Sequence, residues 1–315
     1  MLDIDDVQKK KQALLDNLRA LDSLLVAFSG GVDSTFLLAV AREALGKKVL
    51  AVTAHSVLYP RGEIEEAVAF ANLHGIEHVL LASEAVHLPE FVENTSERCY
   101  VCKKYLFGKL REIAGQRGIR SIAHAANMDD FADYRPGWKA AVEMKGLAPL
   151  VDVGLTKEEI RFLSKEMGLS TWDKPSMACL ASRIPYGEPI TDEKLQRVEE
   201  AEKAIAAHGF TQYRVRHHGP VARIELKVSD IKKFMKPEIR EKVVAKLKEL
   251  GFLYVTLDLE GYVTGSMNRA IEVPKMPLRA VGPTGRRRKC AKVSKVGETK
   301  EGNDGIKQER TERDQ

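Results

Sequence analysis

A chain of 315 residues, 44 % of them hydrophobic, is long enough for two domains with buried cores. Its formal charge of +5 is local: twelve Lys/Arg and six Asp/Glu from Val273 onwards leave 38 basic against 39 acidic residues before it, so the folded part carries no implied basic face for nucleic acid. No run of about 18 apolar residues occurs and "MLDIDDVQKKKQ" has no signal-peptide core, which predicts a cytoplasmic protein with no membrane partner and with reduced cysteines.

The first half alternates strand and helix. An amphipathic helix is expected over roughly 4–20, followed by the apolar run "LLVAF" at 24–28. "TFLLAVAREALG" reads as a helix stopped by Gly46, "KVLAVTA" as a strand, "RGEIEEAVAFANLHG" as a helix stopped by Gly75, and "EHVLLAS" as a strand. "YLFGKLREIAGQRG" is the next helix and "IRSIAHAA" the next strand. Continuous apolar strands separated by helices predict an α/β domain with a parallel sheet covered on both faces, over residues 1–188. Within it "LTKEEIRFLSKEMGL" opens with Thr156 and Glu159 at capping-box spacing, and 172–190, rich in Pro, Gly and Ser, reads as a long active-site loop. The order then changes to helix "DEKLQRVEEAEKAIAAHG", strands "YRVRHH" and "VARIELKV", helix "PEIREKVVAKLKELG" and strand "LYVTLDL", which predicts a small α+β domain over 189–272. From Val273 to Gln315 the composition predicts a disordered basic tail, with Cys290 as a bystander.

"VAFSGGVDSTFLL" at 26–38 carries the strongest chemical signal. A buried strand ends at Ser29, two glycines follow, and a helix starts near Ser34. Gly30 and Gly31 let backbone N–H groups approach an anion, the helix N-terminus supplies donors, and the Ser29 and Ser34 hydroxyls add hydrogen bonds to phosphate oxygens. Asp33 would be repelled by a bare phosphate, which suits it to a metal ion or to the turn. The string lacks the Lys of GxxxxGK[ST] and is not GxGxxG. It resembles the PP-loop of the ATP pyrophosphatase superfamily, whose members adenylate a substrate and release pyrophosphate. In "HAANMDDFADYRPG", at the carboxyl edge of the predicted sheet, Asn127, Asp129 and Asp130 resemble the N-x-D-D which that superfamily places near ATP; a solvated Asx turn would show the same residues.

"NTSERCYVC" places Cys99 and Cys102 three apart ahead of a predicted helix, and "PSMACLASRIPYG" carries Cys179. One CxxC does not complete a tetrahedral zinc site, and His124, His217 and His218 have no diagnostic spacing. A redox pair is one reading. A [4Fe–4S] cluster with three thiolates and one open iron is another, if the two stretches meet in the fold.

With SGGVDS, the string "DKPSMACLASRIPYG" resembles the LarE family of ATP-dependent sulfur transferases, over roughly residues 10–272. The resemblance implies adenylation of a carboxylate of pyridinium-3,5-biscarboxylic acid mononucleotide with ATP and Mg²⁺, then replacement of AMP by sulfur to make the nickel-pincer nucleotide of lactate racemase. It implies that Cys179 is consumed as sulfur donor in sacrificial members. Where a CxxC is also present, Cys99, Cys102 and Cys179 would hold a [4Fe–4S] cluster reloaded from a separate sulfur source. It implies further a homo-oligomer, a trimer or hexamer. Arg183 and Ser182, just after Cys179, are candidate catalytic groups, and Glu200 on the following helix is a weaker one. Arg214 and Arg216 alternate along a strand and so share a face, which suits a clamp on the substrate phosphate as well as a solvated face. "LDLEGYVTGSMNR" resembles the family's C-terminal signature, with Val263 where many members carry a basic residue. The rivals are a PP-loop tRNA thiolase with the same three cysteines and a binding protein that kept only the nucleotide loop.

Overall fold

The computed structural model describes residues 2–132, 136–176 and 178–271, all within one compact unit. The expected tail and Cys290 lie outside the described residues.

Helix α1 (Ile4–Arg19) starts at Asp3, whose carboxylate accepts from the Asp6 N–H, and it buries Val7, Leu14, Leu15 and Leu18 as one stripe. Strand β1 (Leu24–Ala27) leads into α2 (Val32–Leu45), β2 (Val49–His55), α3 (Arg61–Leu73) and β3 (Glu77–Ala82). After a short α4 (Pro89–Val92) come α5 (Arg98–Gln116) and β4 (Ser121–Ala123). The four strands form one parallel sheet in the order β3-β2-β1-β4. The alternation of side chains sends Leu24, Val26, Val49 and Ala51 into one core beside α1 and α2. Leu25, Leu50 and Val52 enter another, against Phe107 and Leu110 of α5. The parallel α/β expectation is thereby met, with one difference. The apolar run of β3 is not a buried strand: it lies at the sheet edge, and Leu80 is 46 % exposed.

Helices α6 (Pro136–Glu143), α7 (Pro149–Asp152) and α8 (Lys157–Glu166) follow. The Thr156–Glu159 capping box is present: the Thr156 N–H donates to Glu159 Oε2 at 2.7 Å, and the Glu159 N–H donates to Thr156 Oγ1 at 3.3 Å. The described part of 172–190 is irregular but for a 3₁₀ turn at Leu180–Arg183, in accord with its reading as a loop. Helix α9 (Asp192–Ala206), β5 (Tyr213–His218), β6 (Val221–Leu226), α10 (Val228–Phe234), α11 (Pro237–Glu249) and β7 (Tyr254–Leu257) build the second sheet. Its order is β5-β6-β7, antiparallel then parallel, over a separate core centred on Ile205, Phe210, Ile224 and Leu247. A third core joins Leu58, Val86 and Phe91 to Leu180, Ile184, Leu195 and Val198, and so packs segments from both sides of the expected boundary at residue 188.

Candidate active site

β1 ends at Ala27 and the chain turns through Gly30, whose φ of +71° is left-handed. A Cβ there would stand 3.2 Å from Ala67 Cβ and 3.3 Å from the Glu63 carbonyl oxygen, so conformation and space both require glycine. Gly31 caps α2 without a side chain, leaving first-turn N–H groups for an anion. The hydroxyls of Ser29 and Ser34 lie 3.0 Å apart, and the Ser29 N–H donates to Ser34 Oγ at 3.3 Å. Asn127 is 3 % exposed; its Oδ1 accepts from the Asp129 N–H at 2.9 Å, and its own N–H donates to Asp130 Oδ2 at 3.1 Å. Lys157, the first residue of α8, ties the two loops together. Its ammonium donates to Asp33 Oδ2 at 2.6 Å and its backbone N–H to Asp129 Oδ2 at 2.5 Å. Asp33 Oδ1 is buried with no partner among the described residues. Ser29, Gly30, Gly31, Asp33, Ser34, Asn127 and Asp129 thus gather at the carboxyl ends of the neighbouring strands β1 and β4.

The two cysteine stretches meet. Cys99 and Cys102 do not precede a helix, as the sequence suggested, but occupy its first turns, because Arg98–Lys104 holds no Gly or Pro to delay it. The three-residue spacing therefore puts both thiols on one face of α5. Asn94, at φ +55°, spans the gap to the other stretch: its amide donates to the carbonyls of Pro185 at 2.7 Å and Glu188 at 2.8 Å. Arg98 donates to Asn94 Oδ1 and stacks 4.3 Å over the Tyr186 ring. On the far side the Leu180 N–H donates to the Leu58 carbonyl at 2.9 Å, which brings Cys179 beside Tyr59. Burial, with Cys179 and then Cys99 nearby, pushes the Cys102 thiol up to about 12. Burial and Cys179 raise Cys99 against the pull of Arg98, and burial with the neighbouring thiols raises Tyr59, whose hydroxyl bonds Cys102. Without a bound cation all three groups therefore stay protonated around neutrality, and a metal would draw the thiol protons off. Among the described residues no group of three His, Cys, Asp or Glu is placed to hold a single metal ion. Cys99, Cys102 and Cys179 share one neighbourhood beside Tyr59. His124 takes no part: it packs between Phe107 and Trp138, and burial lowers its pKa to about 3. His217 packs on Phe252.

Three arginines close the other side. Arg183 is fully buried; its Nε donates to Glu202 Oε1 at 2.8 Å and its Nη2 to Glu202 Oε2 at 3.0 Å. Nη1 donates to the Ala178 carbonyl at 2.7 Å, the Cys179 carbonyl at 3.1 Å and Ser182 Oγ at 2.9 Å. Burial works against this charge, but the Glu202 carboxylate outweighs it and raises the pKa. Arg183 and Ser182 therefore set the shape of the Cys179 turn. Arg214 and Arg216 do share a face of β5, yet neither is solvated, at 3 % and 5 % exposure. Arg216 pairs with the buried Glu225 at 2.6 Å and reaches the Ser182 carbonyl at 3.1 Å. Arg214 donates to the Ser176 carbonyl at 2.5 Å and lies 5.0 Å over the Tyr262 ring, and among the described residues it has no carboxylate partner. Burial and the Arg183 charge lower its pKa. Such a guanidinium gains from an incoming anion. Val263 adds no charge here; Ser266, from the same C-terminal stretch, bonds Glu225 at 3.2 Å.

Glu200 is not brought to the site. It is exposed and pairs with Lys203 at 2.9 Å. The buried carboxylate of α9 is Glu202, and the sequence held a signal for it: Glu202 falls on the apolar stripe Leu195, Val198, Ala201, Ile205. Asn94, Tyr59, Lys157 and Glu225 are also absent from the sequence reading. Their roles come from contacts with segments far along the chain, which no local pattern encodes.

No family model matches the chain. Over 264 residues it is 43 % identical to an uncharacterized protein of Synechocystis sp., covering 82 % of this chain and 98 % of that one. Over 260 residues it is 36 % identical to the pyridinium-3,5-bisthiocarboxylic acid mononucleotide synthase of Lactiplantibacillus plantarum, covering 82 % and 94 %. The tRNA-specific 2-thiouridylase of Rickettsia felis is 26 % identical over 231 residues, covering 60 % and 62 %.

Proposed function

This chain belongs to the pyridinium-3,5-bisthiocarboxylic acid mononucleotide synthase family, the LarE family, and on that premise we propose that it is an ATP-dependent sulfur transferase acting on pyridinium-3,5-biscarboxylic acid mononucleotide. The observation that carries the reading is the position of the Cys179 loop, with the CxxC helix on one side and three buried arginines on the other.

A carboxylate is a poor electrophile, so it must first be activated. Its oxygen attacks the α-phosphorus of ATP, the bond to the β-phosphate oxygen breaks, and pyrophosphate leaves. The N–H groups around Gly30 and Gly31 receive the phosphates. Mg²⁺ fits Asp33 and Asp129, whose oxygen donors suit a hard cation and one of which, Asp33 Oδ1, is buried with no partner among the described residues; it would offset phosphate charge. Arg214, with no carboxylate partner among the described residues, binds the substrate phosphate beside Arg216. A sulfur nucleophile then attacks the acyl carbon and AMP departs, leaving a thiocarboxylate. A [4Fe–4S] cluster held by Cys99, Cys102 and Cys179 would supply an open iron for a hydrosulfide. If Cys179 is instead the donor, its Sγ forms a thioester, and loss of its α-proton breaks the Cβ–Sγ bond to leave dehydroalanine. Family membership also supports a trimer or hexamer.

The test is anaerobic purification with iron and acid-labile sulfide measured per chain, beside a Cys99→Ala variant. About four of each, lost in the variant, is expected. No iron after reconstitution, with dehydroalanine at 179 after turnover, would assign Cys179 as the consumed donor. Release of AMP and pyrophosphate that depends on tRNA and not on the pyridinium mononucleotide would overturn the substrate.

A further inference from the structure

Lys174 opens the stretch that ends in Cys179, and its side chain reaches the nucleotide loop. Its ammonium donates to the Gly30 carbonyl at 3.2 Å, inside the nucleotide loop. It also meets Glu63 and Glu66, one turn apart on α3, each at 2.6 Å. The side chain is 13 % exposed. Burial opposes the charge, but the two carboxylates outweigh it and hold the ammonium above its ordinary pKa. The backbone is held as well: the Lys174 N–H donates to the Thr171 carbonyl at 3.0 Å, and its carbonyl accepts from Arg161 at 2.7 Å. Two residues on, the Ser176 carbonyl accepts from Arg214, and the Ala178 and Cys179 carbonyls accept from Arg183.

We propose that Lys174 is a positioning residue that couples occupancy of the nucleotide loop to the conformation of the Cys179 loop. The proposal rests on the ATP-dependent reading and adds to it a path. The Lys174 side chain is tied to the Gly30 carbonyl, and the carbonyls of Ser176, Ala178 and Cys179 are tied to the arginines of the substrate side. Phosphates docked on the N–H groups around Gly30 place negative charge near the Lys174 ammonium and tighten its hold on Gly30. That hold fixes the start of the stretch that leads to Cys179. Adenylation and sulfur delivery must occur at one carboxylate, so a stretch whose hold strengthens when nucleotide is present keeps the sulfur-bearing segment in place when an electrophile exists. By linkage the effect is mutual: ordering the loop raises nucleotide affinity by the same factor.

Hydrogen–deuterium exchange on the full chain, with and without a non-hydrolysable Mg–ATP analogue and at one fixed metal state of the cysteines, reads both loops at once. In the unaltered protein the analogue is expected to slow exchange in 29–35 and, by at least about fivefold, the low end of coupling between sites, in 178–184. Lys174→Met is expected to keep the protection of 29–35 and lose that of 178–184, and Lys174→Arg to restore it. Nucleotide protection of 178–184 persisting in Lys174→Met, or protection confined to 29–35 in the unaltered protein, overturns the coupling while leaving ATP binding intact. No protection of 29–35 in any form removes the nucleotide reading, and the coupling with it.

Discussion

The nucleotide loop and the cysteine loop are built in opposite ways. The first is nearly contiguous: strand, Gly30, Gly31 and the first turn of α2 supply its main-chain donors, a short second segment, 127–129, joins it, and Lys157 bridges the two. The second is assembled from α5, the 179–190 segment, α9 and β5, and its joints are long side chains that reach main-chain carbonyls. A site made of backbone is specified by conformation, so a glycine decides it. A site made of buried side chains is specified by pairing, so an unmatched charge decides it.

Breaking a pair should have the largest effect. Glu202→Ala leaves Arg183 buried without its carboxylate and the Val215 N–H without its 3.0 Å acceptor. A loss of about 3–5 kcal/mol is expected in denaturant unfolding. Asn94→Ala frees the Pro185 and Glu188 carbonyls and should cost about 1–3 kcal/mol. Sulfur transfer should fall with it while binding of Mg–ATP is retained, and equal losses in both would show the two sites to be less separable than their construction suggests.

On the other side of the comparison, Gly30→Ala forces a side chain into a left-handed position, worth about 1–2 kcal/mol of stability. Its contact with Ala67 shifts the loop, so nucleotide affinity should drop by about tenfold or more in calorimetry, with the fold kept. Acid should also enter here, through His124 at the end of β4. Its folded pKa of about 3 lies below the ordinary 6.5, so its neutral form contributes stability above pH 6.5 that is lost as pH falls towards 3. The loss is about 1.4 kcal/mol per unit, and it should be absent from the pH profile of a His124→Phe variant. The smallest effect belongs to Glu200→Gln: turnover and unfolding midpoint should both stay at their original values, in contrast to Glu202.

The contrast also explains what was legible. The parallel sheet was readable because Leu24–Ala27 and Val49–Val52 are apolar at successive positions, the mark of strands covered on both faces. The capping box at Thr156 was readable because its partners are three residues apart. Arg214 and Arg216 were placed on one face by simple alternation, but their burial was not visible, since Glu225 and Tyr262 come from other elements. The sequence offers Glu200 as a weaker candidate with no view of its exposure, whereas the acid that breaks the apolar stripe of α9 is Glu202. The start of α5 was set too late because thiols and aromatics are weak helix formers taken singly, whereas packing of Phe107 and Leu110 holds the whole helix.

The grip on the cysteine segment falls on the carbonyls of Ser176, Ala178, Cys179, Ser182, Ile184, Pro185 and Glu188. A carbonyl is the same at every residue, so these clamps are blind to what side chain each position carries. A change of side chain at Ser176, Ala178, Cys179 or Glu188 leaves these clamps in place, and the penalty for losing them sits on Asn94, Arg98, Arg183, Arg214 and Arg216. Position 179 can thus exchange its chemistry, even lose its sulfur altogether, inside a frame that does not register the difference.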